Sequence, residues 1–419
     1  MTESGDDRAV MSRRERLLAP TYRHFYEQPL MIERAEGVWM YDRNGRRYLD
    51  AYNNVPILGH CHPEVVRAIC EQSRVLNTHT RYITEEPLRL AEDLLGTLPG
   101  ELDSVVFTCT GSESNDLAVQ VSRAVTGGTG FIITDCAYHG ATDVLAGLSP
   151  EEGNPLGAGV YAVRPPLRPG DAERFAADVA RCIDRMRDEG VRLAALLVDT
   201  IFSSDGVVAE PRGFLQGAIR HVRAAGGLFI ADEVQPGFGR LGEAMWGFER
   251  HGVLPDLVTM GKPMGNGYPV AALVGRRGLL ESFSRTRQYF NTYGGNSVAC
   301  AAARAVLRVI RDEGLMLNAQ RTGDYLMERL RALAGRCAVI QDVRGAGLFI
   351  GVEFGGGAER GAGAAEQVRG IVNDLRARGV LVGATGRGGT VLKIRPPLTF
   401  GREHADLLVA ELERAIGAG

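Results

Sequence analysis

Long apolar runs are missing from this chain of 419 residues, and no uninterrupted stretch approaches the roughly 20 residues of a membrane-spanning helix. The N-terminus, MTESGDDRAVMSRRERLL, is acidic and then basic, with no apolar central segment, so it does not read as a signal peptide. Excess charge of one sign is missing too. A formal net charge of −3, with no long Lys or Arg run, argues against nucleic acid or an anionic membrane as partner. Seven cysteines, an odd number, are scattered without a CxxC pair, which suits a reducing cytoplasm better than a disulfide framework. No metal site is expected, because His60-Cys61-His62 points adjacent side chains in different directions and no second ligand cluster follows. The length suits a large core divided between two lobes.

What is present centres on two short apolar runs. Leu228-Phe229-Ile230-Ala231 leads into Asp232-Glu233-Val234-Gln235, and Leu257-Val258-Thr259-Met260-Gly261 leads into Lys262. Such runs suit strands buried on both faces of a parallel sheet, whose ligands lie beyond the carboxyl ends. An acid and a lysine at one sheet edge admit three readings: a buried ion pair, a lysine general base, or a Schiff-base lysine whose acid partner holds a cofactor's pyridinium nitrogen.

Other segments deliver residues to the same edge. Val105 to Cys109 reads as a strand, and Thr110-Gly111-Ser112-Glu113-Ser114-Asn115 turns into a helix with apolar residues at Leu117, Ala118, Val121, Ala124 and Val125. A strand, a Gly-Ser turn and a helix start make an anion site, although taken alone they make an ordinary cap. Phe131 to Asp135 is a strand ending before Ala137-Tyr138-His139-Gly140, and Ala194 to Val198 ends in Asp199. Asp42-Arg43-Asn44-Gly45 between alternating segments predicts a hairpin, and Pro63 suits the first turn of a helix. Residues 1–20 read as a mobile arm. The Pro/Gly-rich stretch 149–170 reads as a rim loop, and residues 355–357 and 383–389 read as flexible connections.

The segments Asp232-Glu233-Val234-Gln235, Gly237-Phe238-Gly239-Arg240 and Asp256 to Lys262 resemble the signature of the class III aminotransferases, which are pyridoxal-phosphate enzymes of fold type I. The resemblance extends over nearly the whole chain from about residue 25. It implies an α/β fold with a large, mostly parallel-sheet domain and a smaller α+β domain built from both ends of the chain. The expected division is 1–65 as arm and part of the small domain, 66–297 as the large cofactor domain, and 298–419 as the C-terminal small domain.

By the same resemblance, Lys262 forms the imine with the cofactor and Asp232 pairs with the pyridine nitrogen. Gln235 lies near the phenolic oxygen and Tyr138, followed by His139, covers the ring. Gly111 and Ser112 cup the phosphate. Thr292, in Phe290 to Asn296, reaches the cofactor of the neighbouring subunit in a homodimer. Asp199 stands where the family usually carries Glu, and Lys393, three residues before Pro396, stands where it usually carries a carboxylate-gripping Arg. Arg395 follows on the same strand face. These departures, with Asn53-Asn54-Val55, Gly59 to Pro63 and Asn77 to Tyr82, resemble the ethanolamine-phosphate and hydroxylysine-phosphate phospholyase branch. Asn54, Lys393 and Arg395 are the expected substrate contacts.

The expected activity is amino transfer between an amine or amino acid and a keto acid. The alternative is release of ammonia and phosphate from a phosphorylated amino alcohol, and amino-acid epimerisation is a lesser third. A cofactor-free, non-catalytic protein is disfavoured because Lys262, Asp232, Gln235, Ser112 and Tyr138 are all retained.

Overall fold

The computed structural model describes residues 5–168, 170–355 and 362–417. Its centre is a seven-stranded sheet whose strands are β1 (Ser104–Thr108), β2 (Gly130–Thr134), β3 (Val160–Val163), β4 (Leu193–Asp199), β5 (Leu228–Asp232), β6 (Leu257–Met260) and β7 (Ala271–Gly275). The spatial order is β1-β7-β6-β5-β4-β2-β3. Only β7 runs antiparallel to its neighbours; the pairs β2/β3, β2/β4, β4/β5 and β5/β6 are parallel. This is the α/β class expected. Strands β2, β5, β6 and β7 are buried almost throughout, which is why they read as continuous apolar runs rather than alternating ones.

Register decides where chemistry falls. Asp199 pairs with Asp232 across β4/β5, and Asp232 pairs with Thr259 across β5/β6. Three polar side chains thus end adjacent strands in one row, and Lys262 follows two residues after β6. The helix Gly111–Thr126 starts at the same edge just after β1. Thr110 caps it, its side-chain oxygen accepting from Glu113 N. At Gly261 the backbone closes on that helix start: a Cβ there would lie 2.9 Å from Gly111 N.

Two four-stranded sheets complete the fold. One joins the hairpin region Ile32–Glu36, Trp39–Asp42 and Arg47–Asp50 to Val380–Leu381, which pairs in parallel with the third strand. The other is antiparallel, in the order Ile340–Ala346, Phe349–Phe354, Val391–Ile394, Gly383–Thr385. The chain after the N-terminal hairpin lies along its C-terminal counterpart, with Arg395 N donating to Ala51 O and Leu398 N to Ile57 O.

Three sequence expectations need correction. Gly5–Leu17, expected as an arm, is a helix, because its Arg-rich sequence, with Ala9, Met11 and Leu17, propagates a helix without an apolar face. Within 149–170, Val160–Val163 is not loop but edge strand β3, paired in parallel with β2 despite its Gly-rich flanks. Residues 383–389 are not a free connection: Gly383–Thr385 is a strand, and Arg387–Gly389 is a 3-10 turn. The expected flexible run 355–357 reaches mostly outside the described residues. Among the described residues no helix is long and apolar enough to cross a membrane.

Candidate active site

A cavity of about 240 Å³ opens at the carboxyl edge of the central sheet. Gly111, Ser112, Tyr138, His139, Asp199, Asp232, Gln235 and Lys262, all expected there, line it, joined by Thr110, Asn115, Gly140 and Val234. A larger cavity of about 730 Å³ lies among the helices Pro63–Val75, Glu85–Leu95 and Ser297–Asp312. Its charges neutralise one another, Arg67 with Glu64 and Glu71, Arg304 with Glu86 and Asp93, and Arg308 with Glu64. The smaller cavity holds the reactive groups.

Lys262 is half-buried, and its Nζ stands 5.9 Å from the centre of the Tyr138 ring. Burial, then the nearby Arg395, pulls its pKa below the ordinary lysine value, against the opposing charge of Asp232. That shift favours the neutral, nucleophilic amine.

Asp232 is 4% exposed and held on three sides. Its Oδ1 accepts from Val234 N at 3.1 Å, and its Oδ2 accepts from Asn115 Nδ2 at 2.8 Å and faces His139 Nδ1 at 2.7 Å. Thr259 Oγ1 in turn donates to Asn115 Oδ1 at 2.6 Å, fixing the orientation of that amide. A carboxylate has about four acceptor positions, so three donors leave room for one more. Asn115 and Thr259 were missed as site residues. Both stand in quoted motifs, but the network joins two strands, a helix and the loop after β2 and has no sequence-local signal.

The helix start supplies the anion end. Glu113 N and Ser114 N find partners in Thr110, whereas the amides of Gly111 and Ser112 have none among the described residues. Gly140, at φ +144°, brings the chain against Ser112: a Cβ there would lie 2.6 Å from Ser112 Oγ, which accepts from Ala141 N at 3.2 Å. A pyridine-nitrogen partner, an imine-forming amine and a phosphate-type cradle thus converge on one cavity, and this donor set fits pyridoxal phosphate.

Asp199 shows what its short side chain changes. It accepts from Ile201 N at 2.9 Å, from Ser203 N at 3.2 Å and from Ser203 Oγ. Burial, then the charge of Asp232, raises its pKa. It makes no ion pair with Arg395. Instead Arg395 Nη1 donates to Gln235 Oε1, Gln235 Nε2 donates to Ser203 Oγ at 2.5 Å, and Ser203 completes the relay to Asp199. Gln235 therefore lines the cavity with its amide already engaged. Ser203 was missed.

The expected substrate contacts lie beyond the cavity wall. Lys393 and Arg395 are both buried, as is every residue of the strand Val391–Ile394 that carries Lys393 and ends just before Arg395. Arg395 donates to Tyr52 O at 2.9 Å and stacks 4.8 Å from the Tyr52 ring centre. Lys393 has no hydrogen-bond or ion-pair partner among the described residues, and burial, then Arg395, lowers its pKa to about 7. Asn54 is buried with its Nδ2 unpaired. Thr292 is exposed and does not line the cavity of its own chain. In the triplet His60-Cys61-His62, His60 faces Asp50 at 2.7 Å, and His62 faces Glu313.

Comparison with known proteins narrows the identity. A family model described as "Aminotransferase class-III" matches residues 21–416. A solved phospholyase from Arthrobacter, in complex with phosphoethanolamine, is 42% identical, with a TM-score of 0.94, covering 97% of this chain and 99% of that one. A Drosophila melanogaster protein named alanine–glyoxylate aminotransferase 2-like is 39% identical over 91% of this chain and 81% of its own length. A Caenorhabditis elegans protein named ethanolamine-phosphate phospho-lyase homolog 1 is 35% identical over 97% and 93%.

Proposed function

The chain belongs to the class III aminotransferases and depends on pyridoxal phosphate, and from that premise we propose that it moves an amino group between a small amine or amino acid with an anionic far end and a keto acid. One observation carries the reading: Lys262 faces Tyr138 in the same cavity as the Asn115–Asp232–His139 network. When bound, pyridoxal phosphate supplies an electron sink for the carbon that carries the amine.

The chain's own residues do the rest. Lys262 would hold the cofactor through its amine, and its Nζ is the group that would move a proton at the reacting carbon. Asp232, oriented by Asn115 and His139, keeps the ring nitrogen protonated. Tyr138 covers the ring face, and Gly111 and Ser112 hold the phosphate with helix-start amides. Lys393 and Arg395, with the unpaired amide of Asn54, receive the far-end anion. Thr292 reaches the cofactor of a second copy in a homodimer, which accounts for its exposure here. We place the domain limits at 1–65, 66–297 and 298–419. The cytoplasm suits seven cysteines that are all unpaired thiols.

A second reading is favoured by particular observations. Asp199 contacts Arg395 only through Ser203 and Gln235, Lys393 has no counter-ion, and the 42% identical phospholyase holds phosphoethanolamine. A phosphate on the carbon next to the reacting one would then leave, and one water would release ammonia and supply the oxygen of the carbonyl product. The experiment is to assay phosphoethanolamine alone and, separately, an amine with a keto acid. Strict keto-acid dependence supports transfer, and phosphate release without a keto acid replaces it with elimination.

A further inference from the structure

The segment from Asp50 to His60 carries Tyr52 and Asn54, and a side-chain contact closes its mouth. His60 Nε2 meets Asp50 Oδ2 at 2.7 Å, and since a carboxylate oxygen only accepts, the imidazole donates. Asp50, 1% exposed, ends the strand Arg47–Asp50. Its other oxygen, Oδ1, accepts from Tyr52 N at 3.1 Å and from Asn53 N at 2.9 Å. One carboxylate therefore turns the chain and meets the ring that ends the segment. His60 is itself anchored. Its backbone N and O both bond to Gly37, and Gly59 is pressed on that residue: a Cβ at Gly59 would lie 2.9 Å from Gly37 Cα.

The closed segment touches both halves of the proposed chemistry. At one end Tyr52 O accepts from Arg395 Nε at 2.9 Å, the Tyr52 ring stacks on the same guanidinium, and Ala51 O accepts from Arg395 N. At the other end stands Asn266, at φ +50° in the position that closes the turn Lys262–Gly265. Its Nδ2 donates to Gly59 O at 2.9 Å, and its Oδ1 accepts from Leu58 N at 2.8 Å. Between these anchors Asn54 is 2% exposed with its Nδ2 unpaired. The turn of the reactive lysine and the guanidinium of Arg395 are thus both held to one loop, whose two ends the His60–Asp50 bond joins. Among the described residues Asp50 Oδ2 has no other hydrogen-bond partner. Removing the ring would leave a buried acceptor unpaired, and the carboxyl that shapes the Tyr52–Asn53 turn would no longer be fixed.

We propose that His60 is a positioning residue for anion recognition: through Asp50 it fixes the Tyr52 carbonyl against Arg395 and sets the place of Asn54. The inference rests on the reading that Arg395 receives the anionic end of the substrate. His60 does not line the cofactor cavity, so an amine without an anionic end does not depend on it.

The test titrates cofactor-loaded enzyme with aminopropylphosphonate, which has the length of phosphoethanolamine but no leaving group, and with propylamine, which has no anionic end. Dissociation constants are read from the cofactor's absorbance for wild type, H60A, H60Q and R395A. H60A should weaken the phosphonate by about three- to ten-fold, the range of one net hydrogen bond, and leave propylamine unmoved. Gln carries an amide nitrogen where the imidazole has Nε2, so H60Q should restore most of the loss. H60N, polar but too short to reach Asp50, takes the place of H60A if that variant does not fold. Equal shifts for both amines, no shift, or an H60Q that binds the phosphonate no better than H60A would overturn the proposal. R395A separates the two levels of the argument and should weaken the phosphonate alone. If it does and H60A changes nothing, only the role of His60 fails; if R395A is not selective, the anion-site reading fails and the inference with it.

Discussion

At the scale of residues, the site turns on how burial changes charge. Lys262 and Lys393 are both lysines whose pKa desolvation lowers, but in the proposed reaction they serve opposite states. Lys262 is useful neutral, as a nucleophile; Lys393 is useful protonated, as an anion receptor. A lysine near 7 in the free enzyme is cationic below that pH and neutral above it. Affinity for an anion-bearing amine should therefore fall as pH rises through about 7, seen as a limb in kcat/KM, which reports the free enzyme. K393R, whose guanidinium stays charged, should remove that limb from the profile. At the other end of the cavity, D232N would leave the ring nitrogen without its anion, and we expect a loss of about 10²-fold or more in kcat with cofactor still bound. Glu233, next in the chain, is no spare catalyst. It accepts from Thr200 Oγ1, Gly247 N and Phe248 N, and burial raises its pKa to about 8, so it acts as a structural brace.

Elements place these residues, and here the sequence was read unevenly. The runs ending in Asp232 and Lys262, the hairpin about Asn44-Gly45 and the helix opening at Pro63 were legible because each carries a local signal of period, turn residue or cap. Strand β3 and the strand Gly383–Thr385 were not, since Gly and Pro around them suggest loops and only pairing with β2 and with Val391–Ile394 makes them strands. For the same reason the site was legible as individual residues but not as networks. Asn115, Thr259 and Ser203 gain roles only when distant segments meet. The helix Gly111–Thr126 offers a direct test of its placement. T110A removes the side-chain acceptor for Glu113 N, and should lower stability by about 1 kcal/mol in denaturant unfolding while weakening phosphate retention. G140A should do more harm to cofactor affinity than to folding of the central sheet, because its Cβ would strike Ser112 and the backbone φ of +144° disfavours any side chain.

For the whole molecule, the proposed homodimer makes a testable demand, that the exposed Thr292 of one copy completes the site of the other. K262A and T292A should each be inactive or nearly so alone. Unfolded together and refolded, they should give mixed dimers in which one of the two sites has an intact lysine and an intact threonine, restoring roughly a quarter of wild-type activity. No recovery, with mixed dimers demonstrated by mass, would assign Thr292 to its own chain's surface. All of these arguments presuppose one covalent attachment. Reducing the cofactor-loaded protein with borohydride and mapping its peptides should place the pyridoxyl group on Lys262 and on no other lysine; a label at Lys393, or none in protein that retains its cofactor, would contradict the account.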